Sequence, residues 1–138
     1  MKINFDQINL KAPSCSGIYE LFTDDGIPLK VGISTNLKRR LLQHRNSKQN
    51  KLKLNPGGNR SNPDDVVSKG SILAKHLYYD SSITSEYNLE TEQGRREFLE
   101  HKCYILLEST ETKEVARKKE QVLEDSRIYR YVGKVVLK

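Results

Sequence analysis

Two strand-like segments, Ser16–Phe22 (SGIYELF) and Pro28–Ser34 (PLKVGIS), sit on either side of Thr23-Asp24-Asp25-Gly26-Ile27 and constrain the fold more than any other feature. Asp-Gly between apolar segments is a strong hairpin signal, because both central positions of a type I′ turn need positive φ. With Asp25-Gly26 as the loop, Tyr19 lies opposite Gly32 and Lys30 opposite Leu21. Directly opposed residues share a sheet face, so Tyr19, Lys30, Gly32 and Ser34 fall on one side. Ile18, Phe22, Leu29, Val31 and Ile33 fall on the other, which reads as the core face, with Glu20 a misfit suited to an edge. A slip of one residue would turn Lys30 to the opposite face from Tyr19, so the register matters. Immediately afterwards Asn36 is an N-cap for a helix over 37–45 with Leu37 and Leu41 inward. Arg40 and His44, four residues apart, share one face of that helix.

The charge is placed unevenly. The chain has 138 residues with 24 Lys+Arg against 18 Asp+Glu, a net charge of +6, which suits one domain with a modest core. From Gly26 to Pro63 there is no carboxylate, while Lys30, Lys38, Arg39, Arg40, Arg45, Lys48, Lys51, Lys53 and Arg60 all lie there. A solvated surface interleaves signs, whereas a one-signed block points to a polyanion partner. Cys15 and Cys103 are too few and too distant for a zinc site or disulfide framework. The start of the chain is mixed and polar and no long apolar run occurs, so a soluble, intracellular (cytoplasmic) protein is expected.

Residues 46–70 form a polar, basic stretch in which Asn55-Pro56-Gly57-Gly58-Asn59 and Asn62-Pro63 break regular structure. Its length marks it as a binding loop or an insertion. Beyond it, Ser71–Tyr79 reads as a helix, Thr91–Glu100 as a weaker helix interrupted by Gly94, and His101–Glu108 as the third strand. A further helix runs from Thr110 to about Asp125 with Val115, Ala116, Val122 and Leu123 inward, followed by a strand-like tail, Arg127–Lys138. The fold class expected is α/β (α+β), with a small three-stranded, mostly antiparallel sheet flanked by helices.

In chain order, Gly17-Ile18-Tyr19, Lys30-Val31-Gly32, Asn36-Leu37, Arg40-Leu41 and Glu120 resemble the signature of the GIY-YIG nuclease superfamily. The match spans roughly residues 16–125 with an enlarged middle, and the family includes repair incision subunits, homing endonucleases and some restriction enzymes. It departs from the family where Lys30 stands in place of the Tyr that opens the second motif. A protonated Lys accepts no hydrogen bond and so cannot copy that Tyr, but members resembling restriction enzymes also carry Lys here. The segment after the last helix, Ser126 to Tyr131, also lacks the Pro and Asn that the family often has.

The resemblance implies a divalent-metal-dependent endonuclease that hydrolyses DNA phosphodiesters. Such chemistry needs an activated water, neutralised phosphoryl oxygens and help for the leaving alkoxide. Tyr19 is the candidate general base or proton relay, with Lys30 nearby to favour its phenolate or simply to face solvent. Arg40 is the candidate phosphate clamp, since a guanidinium grips two oxygens at once. His44 would relay a proton or contact phosphate. Family spacing singles out Glu120 as ligand to one Mg²⁺ (or Mn²⁺) ion, weakly held without substrate. Lys38, Arg39, Arg45, Lys48, Lys51, Lys53 and Arg60 are candidate nucleic-acid contacts, and His76 and His101 read as structural. One site cuts one strand, so double-strand cleavage would call for a homodimer. The alternatives are a non-catalytic nucleic-acid-binding module on the same scaffold, or an RNase of the same fold.

Overall fold

The chain opens with β1 (Lys2–Asn4), a 3-10 turn and the short α1 (Ile8–Lys11). In the computed structural model, which describes residues 1–126 and 128–138, the anticipated hairpin follows as β2 (Gly17–Thr23) and β3 (Pro28–Ser34). After it come α2 (Leu37–Asn46), β4 (Leu52–Leu54), β5 (Val66–Ser68) and α3 (Ile72–Tyr78). The chain then forms α4 (Glu92–Lys102), β6 (Cys103–Ser109) and α5 (Lys113–Ser126). The architecture is α+β. Its main sheet has four strands rather than the expected three, in the order β1–β6–β2–β3, and every pairing is antiparallel. The extra strand, β1, is only three residues long, too short for its alternation to show in the sequence.

The expected register holds where it matters, with Tyr19 opposite Gly32 and Leu21 opposite Lys30. The turn differs. Phe22 pairs with Pro28 instead of Leu29, because the register shifts between Leu21 and Phe22. Gly26 has φ +93°, whereas Asp25 keeps a negative φ, so the loop is not a two-residue type I′ turn. The Thr23 side chain selects the wider loop: its hydroxyl bonds the Asp25 carboxylate and accepts the Ile27 amide.

Both faces of the sheet are covered, and the larger core lies on the Tyr19 side, contrary to the sequence expectation. Tyr19, Leu21 and Leu29 join Leu37 and Leu41 of α2, Leu73 and Leu77 of α3, and Phe98 and Leu99 of α4. The opposite face carries a smaller cluster of Ile18, Val31, Ala116 of α5 and Tyr129. The side of the hairpin that carries the polar motif residues is thus the side that folds against three helices. Glu20 lies on the inner strand β2 rather than at an edge, is buried, and accepts a 2.7 Å hydrogen bond from the Tyr129 hydroxyl. Within α5, Ala116 and Leu123 turn inward as expected, but Val115 and Val122 are exposed.

The stretch at 46–70 is more ordered than its composition suggests. β4 and β5 pair as a separate two-stranded antiparallel sheet, and Leu52 and Val66 bury against Ala74 and Tyr79 of the α3 region. Gly94 does not interrupt α4, which runs unbroken to Lys102. The C-terminal tail forms no ladder strand among the described residues, but it follows the β3 edge: the Arg130 amide donates to Pro28 O and the Tyr131 amide to Leu29 O. Arg127, the expected head of that tail, lies outside the described residues. No helix among the described residues is long and apolar enough to cross a membrane.

Candidate active site

Tyr19 reaches the site from β2, Lys30 from β3, Arg40 and His44 from α2, and Glu120 from α5. The Tyr19 ring lies across Gly32, where a Cβ would overlap its Oη and Cζ; only glycine leaves that space. Tyr19 Oη is 2.7 Å from His44 Nε2, and His44 Nδ1 is 2.7 Å from Ser71 Oγ. Ser71 is the N-cap of α3, and its Oγ accepts the Ala74 amide at 3.2 Å. A continuous polar line therefore runs Tyr19–His44–Ser71 through the main core. Ser71 was not anticipated as part of a site, although a Ser directly ahead of an apolar helical run is an N-cap signal.

Tyr19 is 1% exposed and His44 0%. Burial pushes the Tyr19 phenol above its ordinary value, and the Arg40 guanidinium, by charge and hydrogen bond, pulls it back. The cation acting on Tyr19 is thus Arg40, not Lys30 as the sequence suggested, and the phenol is not shifted down. Burial holds the His44 imidazole well below the usual histidine range, with Arg40 and Lys30 adding to the effect. A fully buried, neutral His44 cannot contact phosphate, so that half of its expected role is excluded. Proton relay through Tyr19 remains.

Arg40 Nη1 donates to Gln43 Oε1 and to Gly70 O, both at 3.1 Å. These neutral acceptors aim the guanidinium without cancelling its charge. Lys30 is half-buried; burial lowers its pKa, the neighbouring Arg40 lowers it further, and Glu120 and Glu124 oppose the shift. The charge of Glu120 also reaches Tyr19. Its own carboxyl is pushed up by burial and by Glu124, and held down by Lys30 and Arg117. Glu120 thus acts on Tyr19 and Lys30 through its charge, from the helix that packs on the Ile18–Val31 face of the sheet. No protein-family model, curated protein or solved structure matches the chain.

The remaining sequence candidates lie around this cluster or on the inserted hairpin. Arg39, Lys48, Lys51 and Lys53 are exposed, while Lys38, Arg45 and Arg60 are half-buried. Arg45 bonds Asn46 and Arg60 donates to Leu52 O at 3.3 Å, so both also shape local backbone. No group of three or more His, Cys, Asp or Glu that could hold a metal ion occurs among the described residues. Burial, and after it the nearby Glu124, raise the Glu120 carboxyl; two carboxylates suit only a hard cation that keeps most of its waters. His101 is exposed and bonds Tyr87, whereas His76 is buried and stacks on Tyr131 with centroids 5.1 Å apart.

His76 and His44 make stability depend on pH. Burial lowers His76 to about 4, and Lys30 and Lys138 reinforce the shift. An unfolded chain protonates these histidines near about 6.5, while the folded protein resists until lower pH, so stability is full above that value and falls as pH drops. The Glu120 carboxyl, being raised, acts in the opposite sense. His76 alone should remove about 2 kcal/mol between pH 7 and pH 5. Urea unfolding at the two pH values checks this; equal midpoints, or the same pH response in His76→Gln, would contradict it.

Proposed function

We propose that the chain is a divalent-metal-dependent endonuclease that hydrolyses DNA phosphodiesters, built on the GIY-YIG pattern. What supports this reading is the buried Tyr19–His44 pair, on which Arg40 acts by charge, with Lys30 on the same face of the hairpin and the charge of Glu120 reaching Tyr19 and Lys30. Each has a distinct task there. Arg40 grips the phosphoryl oxygens, and Lys30 adds positive charge beside it. Tyr19, once its own proton has been lost to solvent, takes the proton of the attacking water and returns to the neutral phenol as hydroxide adds to phosphorus. Ser71 Oγ already accepts the Ala74 amide, so its own proton can go to His44 Nδ1. That leaves Nε2–H to donate to Tyr19 Oη, and with Arg40 it holds the phenolate once the proton has left. Glu120, flanked by Glu124, would hold the Mg²⁺ or Mn²⁺ ion, which when bound polarises the phosphoryl group. The exposed cations Arg39, Lys48, Lys51 and Lys53 supply salt-dependent affinity for the backbone.

Nicking of supercoiled plasmid with Mg²⁺ or Mn²⁺ tests the reading. Arg40→Ala and Glu120→Gln should each slow nicking by about a hundredfold or more, the usual cost of removing one charge-stabilising group. Equal residual cutting by all three proteins would sink it. The ratio of nicked to linear product reports whether two copies act together, and an RNA substrate run in parallel tests the RNase alternative. The near-complete burial of Tyr19 favours one other reading, a nucleic-acid-binding module without catalysis. That reading predicts salt-sensitive binding and no cleavage under any metal.

A further inference from the structure

A hollow on the surface lies outside the Tyr19 cluster, at the other end of α3. It has a volume of about 700 Å³ and is bordered by Arg60, Tyr78, Tyr79, Ser81, Glu90 and Lys138. A smaller hollow of about 150 Å³ shares Tyr78, Ser81 and Glu90 and continues to Tyr87 and Asn88. Together they form one groove with an aromatic floor, two cations at one end and a carboxylate within it.

The aromatic floor is held in place. Tyr78, half-buried, meets the edge of Tyr79 at 4.8 Å and 65° between ring planes. Tyr79 is 5% exposed and its hydroxyl donates to Arg60 O at 2.6 Å, so the ring supporting Tyr78 cannot swing. Lys138 is pinned through its backbone, donating to Tyr79 O and accepting the Ser81 amide at 2.8 Å. The Glu90 amide donates to Asn88 Oδ1 at 3.1 Å, which fixes the backbone that carries the carboxylate. Preorganised aromatic faces beside cations are what unpaired bases stack on, because every base has a π-face and a flanking phosphate.

The groove also has a fixed relation to the candidate site. Ser71 at one end of α3 bonds His44, and Tyr78 at the other end lines the groove, about 10 Å away at the helical rise. His76, between them, feels the charges of both Lys30 and Lys138. Arg40 donates to Gly70 O just ahead of α3 and Tyr78 ends that helix, so one rigid element joins the two.

We infer that this groove is a subsite for an unpaired nucleobase bearing an exocyclic amine. The base stacks on Tyr78, its amine donates to Glu90, and its phosphate rests on Arg60 and Lys138. Carboxylates accept from the cytosine amine, whereas thymine has no such donor. The inference deepens the nucleic-acid reading above and rests on it, but the two are separable by experiment.

The test is fluorescence anisotropy with labelled oligodeoxycytidine and oligothymidine, in EDTA so that no cleavage occurs. Wild type should bind the cytidine strand more tightly, and Glu90→Ala should erase that preference. Tyr78→Leu, which keeps apolar bulk without a ring, should weaken binding by about tenfold, while Tyr78→Phe keeps it. Wild-type affinity in Tyr78→Leu overturns the inference, and so does equal loss in Tyr78→Phe, since the ring survives there. If wild type nicks plasmid in an Arg40-dependent way while Tyr78→Leu binds normally, the subsite alone is wrong. If wild type never nicks but Tyr78-dependent binding persists, the subsite stands and the nuclease reading falls.

Discussion

Gly32→Ala is expected to lower the unfolding free energy by about 4 kcal/mol and to remove nicking with it. The added methyl would overlap Oη and Cζ of Tyr19. In an open site the ring would move aside, but Tyr19 is 1% exposed and its hydroxyl is held 2.7 Å from His44 Nε2. His44 is in turn held 2.7 Å from Ser71, the N-cap of α3. Relief therefore means either breaking a buried hydrogen-bonded line or parting β2 from β3. Overpacking costs about 1–3 kcal/mol, and orphaning a buried polar group a further 1–3 kcal/mol or so. A melting temperature lower by about 15 °C should follow for a domain of this size. The control is a double-mutant cycle: in a Tyr19→Ala background the same Gly32→Ala change should cost less than about 1 kcal/mol, because nothing remains to collide with. Equal costs in the two backgrounds would show that Gly32 serves the strand and not the tyrosine.

The same pair of residues shows what the sequence could and could not disclose. The Tyr19–Gly32 and Leu21–Lys30 pairings followed from centring the hairpin on Asp25-Gly26, and they hold despite the wider loop because the register shifts between Leu21 and Phe22. Which face would be the larger core did not follow, because burial depends on what arrives from elsewhere. The helices that cover Tyr19 come from residues 37–46, 72–78 and 92–102. The turn was misjudged for a local reason, since the Thr23 hydroxyl outbids the Asp-Gly preference for a two-residue loop. The choice of Glu120 rested only on the family spacing; several acidic residues on α5 offer similar chemistry, and helical pattern does not rank them. His44 carried a signal in its spacing from Arg40, yet its complete burial did not show, because its partners Tyr19 and Ser71 lie 25 and 27 residues away. Arg95, which lies outside the basic block and every motif, gave no signal at all.

Arg95→Met is the second large effect expected, a loss of about 3 kcal/mol and about 10 °C in melting temperature. Arg95 lies on α4 with 0% exposure, and burial lowers its pKa to about 10, so it remains a cation at neutral pH. Its guanidinium spreads that charge over neutral acceptors. Nε donates to Ser47 Oγ at 2.9 Å, Nη2 to Ser47 O at 2.7 Å and Gln49 Oε1 at 2.8 Å, and Nη1 to Leu89 O at 3.1 Å. Ser47 is the residue with φ 48° at which the chain leaves α2 and enters the basic hairpin. A second bond from the same helix, the Gln49 amide to Glu92 at 3.0 Å, secures the same point. Methionine fills much of the volume but leaves several buried carbonyl-type acceptors without donors, each worth about 1–3 kcal/mol before relaxation and water entry. Lysine restores the charge without the planar fork, so Arg95→Lys should recover less than half of the loss. Because the orphaned acceptors sit at the root of the hairpin, limited proteolysis should cut first within residues 46–70 in Arg95→Met, ahead of global unfolding. A variant that melts within a degree or two of wild type, or whose first cuts fall elsewhere, would mean that the hairpin is held by its own contacts with Ala74 and Tyr79 and not by the buried arginine.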